Sequence, residues 1–150
     1  MKSLFDPVTV NEMRSRVRQL RPESQPLWGR MNVAQALAHC AGVLELALGD
    51  RRPPRKAIGR ILGPVLKRLV VRSEAPLRRN APTLEEVAVL DQRDVNIERN
   101  RLLTLLDRFA GGGPARCTTH PHPFFGRMSP QEWATFEYKH LDHHLRQFGG

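Results

Sequence analysis

No stretch of this chain alternates apolar and polar residues long enough to demand a β-strand, whereas four stretches repeat apolar residues at helical spacing. The expected fold class is therefore all-α. The helix starts are also marked. Thr9 and Glu12 have the T-x-x-E form of a capping box, ahead of a stripe of Val10, Met13, Val17 and Leu20. Arg21-Pro22 is its expected end, because the residue before a proline is pushed out of helical geometry. Asn32 with Gln35 opens a second helix, with Val33, Leu37, Cys40, Leu44 and Ala47 as its stripe and Gly49 as its stop. A third spans roughly Asp91 to Phe109, turns Val95, Leu102, Leu105, Leu106 and Phe109 inward, and is closed by GGG. The fourth start is the most fully specified: Ser129 as N-cap, Pro130 at the first helical position, Glu132 completing the box, and Met128 and Trp133 placed as a hydrophobic staple. At 150 residues, these elements predict a single domain over residues 1–150, a four-helix bundle with a long basic crossover between the second and third core helices.

That crossover holds the charge. Residues 51–79 carry ten basic side chains and one acid, Glu74, which is the whole of the +9 net charge. Arg51, Arg52, Arg55, Arg60, Lys67, Arg68 and Arg72 alternate with Ile58, Ile61, Leu62, Val65, Leu66 and Leu69. Such a mixture suits an anionic membrane or nucleic acid, and a non-catalytic binding module is the alternative function. Against both partners stand the lack of aromatic residues for stacking and the expectation that Gly63-Pro64 interrupts a continuous helix. The favoured reading is a solvated crossover packed by its aliphatic residues, which also offer a contact for a homodimer. Two cysteines, Cys40 and Cys117, are too few for a secreted disulfide framework, and "MKSLFDPVTVNEMRSRV" has no apolar core of a secretion signal. The expected compartment is a reducing cytoplasm.

The histidines point to chemistry. Five of the six fall between residues 120 and 150, and the last helix carries three of them in KHLDHHLRQF. His140 and His144 are four apart, so they share a face, in line with Trp133 and Phe136. Two imidazoles converging in this way bind a transition metal, with a third ligand needed from another helix. His39, on the flank of the second helix's stripe, is the candidate. His143 lies at the edge of the same face. CTTHPH, residues 117–122, has a C-x-x-H-x-H spacing but sits in a Pro-rich stretch, and it reads better as a solvated loop. Cys40 points into the stripe and reads as core. No phosphate loop, nucleophile elbow or dinucleotide fingerprint is present.

The blocks PLWGRMNVAQALAHCAGVLELALGD, HPFFGRMSPQEW and KHLDHHLRQFG together resemble a small bacterial branch, of unknown function, of the DinB/YfiT-like metalloenzyme superfamily, from about Leu27 to Gly149. The resemblance implies a four-helix bundle that binds a divalent metal, zinc or nickel, through His39, His140 and His144, with Gln147 following the pair. It also implies a metal-dependent enzyme, either a hydrolase or a thiol-dependent transferase that uses a low-molecular-weight thiol, acting on a small molecule that the sequence does not name. Glu137, His143 and His122 are the expected supporting or proton-transfer groups around that site.

Overall fold

The computed structural model of residues 1–150 is all-helical, with α1 (Pro7–Gln19), α2 (Val33–Leu48), α3 (Ala57–Val70), α4 (Val95–Gly112) and α5 (Pro130–Gln147). Single turns of 3-10 helix lie at Glu85–Val87 and Pro114–Arg116, and the one extended pairing is an isolated bridge between His122 and Gly126.

The position of α2 follows from its composition. It is apolar on nearly every face, and a helix of that kind must be surrounded. Thirteen of its sixteen residues are buried, and it packs against α4 and α5, with α1 closing onto the same two helices. The core runs from Val10, Met13 and Val17 of α1 through Leu37, Cys40 and Leu44 of α2 to Leu102, Leu106 and Phe109 of α4 and Trp133, Leu141 and Leu145 of α5.

The caps of α2 and α5 match their sequence signals. Asn32 and Gln35 make both reciprocal bonds of the box, and so do Ser129 and Glu132. Gly49 ends α2 in the left-handed conformation. Met128 and Trp133 are both buried. Two starts differ from expectation. The α1 N-cap is Asp6, whose carboxylate accepts from the Thr9 amide at 3.2 Å and the Thr9 hydroxyl at 2.6 Å. Pro7 explains the shift: its fixed φ suits the first helical position, while Asp6 before it is held extended. Thr9 is thus inside the helix and buried, and no box forms with Glu12. In α4 the cap is Asp94, which accepts from the Ile97 amide at 2.9 Å, so residues 91–94 precede the helix.

The basic segment departs furthest from expectation. Gly63-Pro64 does not interrupt it: α3 continues from Ala57 to Val70 with Pro64 inside. Pro64 and Arg60 are both exposed, so the Arg60 carbonyl that loses its helical donor can turn to water. Of its aliphatic residues Val70 and Val71, at the end of the helix, pack on the core, whereas Ile58, Ile61, Leu62, Val65 and Leu69 are exposed. The buried positions within α3 are Gly59 and Gly63, which let it lie directly on the 123–124 backbone; a Cβ at Gly63 would stand 2.6 Å from the Phe124 carbonyl oxygen. Polar contacts pin it there. The Lys56 amide donates to the Pro123 carbonyl at 3.1 Å, and Lys67 to the Arg127 carbonyl at 2.7 Å. Lys67 and Arg72 both pair with Glu132, at 3.2 and 2.8 Å, while Glu132 also caps α5.

Removing the α5 cap should loosen the whole domain, because α5 contributes heavily to the core. Ser129→Ala should lower the free energy of unfolding by about 1 kcal/mol. Urea denaturation followed by circular dichroism checks this; an unchanged midpoint would contradict it.

Candidate metal centre

Three imidazoles meet where α2 passes α5. The ring centroids of His39, His140 and His144 are 4.9, 4.7 and 4.9 Å apart in pairs, a nearly equilateral triangle. One ring nitrogen from each lies within 4.8 Å of the other two. His39 and His140 are buried, and His144 is the more open member.

The surroundings select the tautomers. His39 Nδ1 lies 2.8 Å from the Val87 carbonyl oxygen, which can only accept, so Nδ1 carries the proton and Nε2 is left with a lone pair. The 3-10 turn at residues 85–87, packed on α2, positions that carbonyl. His144 is set through Gln147. The Gln147 amide nitrogen donates to the Trp28 carbonyl at 2.6 Å, so its oxygen faces His144 Nδ1 at 2.9 Å and accepts the proton there. Gly29 makes this reach achievable: its φ is +77°, and a Cβ would stand 2.7 Å from the Gln147 nitrogen. His144 Nε2 is therefore unprotonated as well. His140 Nε2 stands 3.0 Å from His39 Nε2, and since that partner holds a lone pair, the neutral His140 donates to it.

All three rings stay neutral around pH 7. Burial is the main cause in each, and it pushes His144 down to about 3 and His140 well below its ordinary value; the neighbouring imidazoles add to the effect, since a proton on one disfavours a proton on the next. Neutral imidazoles with lone pairs held inward are metal ligands by chemistry. The spacing also fits. Bonds of about 2.0–2.1 Å to a tetrahedral ion put nitrogens about 3.3 Å apart. His39 and His140 Nε2 already stand 3.0 Å apart, all three ligand nitrogens lie within 4.8 Å of one another, and His140 would have to move its proton to Nδ1. A buried three-histidine group able to bind a metal is thus in place.

Around it, Glu137 lies one turn before His140, is fully buried, and leaves Oε1 without a partner. Burial raises its carboxyl well above the ordinary range, which favours the protonated form. His143 is not in the triangle. It edges onto His144 at 5.0 Å and Trp28 at 5.5 Å, and lines a cleft of about 350 Å³ with Trp28, Arg79, Tyr138 and Lys139.

Residues 117–122 do not form a second site. The His120 imidazole bonds the Pro53 carbonyl, and the cysteine and two histidines do not converge. The stretch is not a solvated loop either. His122 is buried, stacks on Phe125 at 4.4 Å, and accepts the Phe124 and Phe125 amides at Nδ1. The turn closed by Gly126 creates that cradle. Cys40 is core as expected, its thiol raised by burial.

The family model described as "Protein of unknown function (DUF1569)" matches residues 5–149. The chain belongs to this family. No curated protein and no solved structure matches the chain. The match corrects the resemblance to the DinB/YfiT-like superfamily: the chain falls in a distinct family that is not stated to be DinB-like, and the match starts at Phe5, well before Leu27. The histidine site accordingly stands on its geometry alone.

The metal-free protein should lose stability on acidification. The unfolded chain takes protons on these histidines near pH 6.5, whereas folded His122 and His144 resist until about 3, burial being the larger cause. Their contribution is complete above about pH 6.5 and is lost progressively as the pH falls toward 3. Glu137 acts with the opposite sign above 4.5, but one carboxyl is set against four buried imidazoles. Thermal melts of chelated protein at pH 7, 6 and 5 should show a falling midpoint; a flat series would refute it.

Proposed function

We propose that this protein binds one divalent transition-metal ion through His39, His140 and His144 and uses it in a metal-dependent reaction, with hydrolysis as the reading its residues support best. The observation that carries this is the second set of hydrogen bonds: Val87 and Gln147 each take the Nδ1 proton of a histidine and leave Nε2 free toward the centre. A histidine that merely satisfies itself in a core needs no such convergence.

Three neutral nitrogen ligands leave coordination positions open, as catalytic sites do. A bound ion there supplies Lewis-acid activation of a substrate oxygen or of water. Imidazole ligands suit zinc and nickel among other transition metals, and those two are the metals to test first. The chain's own residues have the remaining roles. Glu137, whose protonated form burial favours, is placed to hold a proton in a dry environment one turn from His140. His143 and Trp28 form the wall between the triangle and the cleft, which is large enough for a small molecule. Thiol-dependent transfer rested on the overturned resemblance and is not carried forward. The frame for this site we read as a single four-helix bundle of α1, α2, α4 and α5, with the basic segment as the crossover.

Protein purified without an affinity tag should carry up to one metal ion per chain by elemental analysis, and chelated protein should regain zinc or nickel by calorimetric titration. His39→Ala, His140→Ala and His144→Ala should each remove most of the affinity, and His120→Ala none. Gln147→Leu should weaken binding about 10–100-fold, since it takes away the group that orients His144. Affinity no better than that of a surface histidine pair, or an equal loss in His120→Ala, would overturn the reading.

A further inference from the structure

The outward face of α3 carries an unpartnered apolar ridge. At about 100° per residue, Ile58, Ile61, Leu62, Val65 and Leu69 fall within an arc of about 100°. All five are exposed, Ile61 by 78% and Leu69 by 63%, although the helix belongs to a folded domain. The opposite face, with Gly59 and Gly63, lies on the 123–124 backbone. The ridge therefore does not contribute to holding α3 in place. Polar contacts do that work, and the aliphatic residues are left free.

The charges say what covers them. Arg68 follows along one edge of the arc, is exposed, and pairs with no carboxylate, within a segment, residues 51–79, that carries ten basic side chains and one acid. No acidic residue lies anywhere in α3. Two copies of the ridge facing one another would bring their Arg68 side chains and two strongly positive segments together, with no acid in either helix to neutralise them. A stable dimer also buries about 20–30 residues a side, and this ridge has five. Nucleic acid would find no aromatic side chain in α3 on which to stack. A short aliphatic face edged by arginine, on a strongly positive segment, matches the boundary between the headgroups and acyl chains of an anionic bilayer. No helix is long and apolar enough to cross a membrane, so such contact is at the surface.

We propose that α3 is a docking helix for an anionic lipid surface. Its aliphatic ridge enters the interface, and Arg68 at its edge meets the lipid phosphates. The inference does not depend on the metal site. In flotation assays the full chain should rise with vesicles of phosphatidylcholine and phosphatidylglycerol, and at least tenfold less with phosphatidylcholine alone. Raising the salt should weaken the binding. Ile61→Glu with Val65→Glu should abolish it, and Arg68→Glu should weaken it severalfold. All three positions are solvent-facing, and circular dichroism should show the fold intact. Four results would overturn the proposal: no flotation with anionic vesicles; equal flotation with neutral ones; loss in Arg68→Glu but not in the aliphatic pair, which marks a purely electrostatic contact such as nucleic acid; or a dimer by light scattering that Ile61→Glu with Val65→Glu dissociates.

Discussion

The structure depends on keeping three imidazoles dry. Polar rings inside an apolar core are costly unless their nitrogens are paired, and an unpaired one loses the hydrogen bonds that water would have given it. Here the Nδ1 atoms of His39 and His144 are paired outward, with a backbone carbonyl and a side-chain amide. Of the inward nitrogens, those of His39 and His140 pair with each other. Much of the surrounding architecture serves that arrangement: the 3-10 turn at residues 85–87 presents the Val87 carbonyl, and the left-handed Gly29 lets Trp28 reach Gln147.

How legible this was varies by element and for physical reasons. The starts of α2 and α5 were plain, because a capping box is a local device: the residues that signal it are the residues that make its bonds. The start of α1 was misread through the same device, since Thr9 and Glu12 have the form of a box while Asp6-Pro7 sets the register first. Pro64 was read as a break because proline is costly in a helix interior; that cost falls where the freed carbonyl is exposed. The three candidate ligands could be named from spacing and resemblance, and the structure brings those three together. The Val87 carbonyl could not be named, since a backbone acceptor leaves no mark in the residue type. The burial of His122 was equally hidden, because it comes from a turn that folds back on itself.

The family match alters the standing of the site without altering its geometry. A ligand set inherited from a resemblance would be only as good as that kinship. A ligand set supported by distances, tautomers and burial can be tested on the protein itself, whatever family it falls in.

Glu132 gives the fold a consequence of another kind. One carboxylate closes the first turn of α5 and also receives Lys67 and Arg72 from the α3 region. The helix that carries two of the histidines and the helix that carries the apolar ridge thus hold opposite ends of one electrostatic clasp. Thermodynamic reciprocity makes the effects equal in both directions: any force that draws α3 outward relaxes the first turn of α5, and any ordering of α5 tightens its grip on α3.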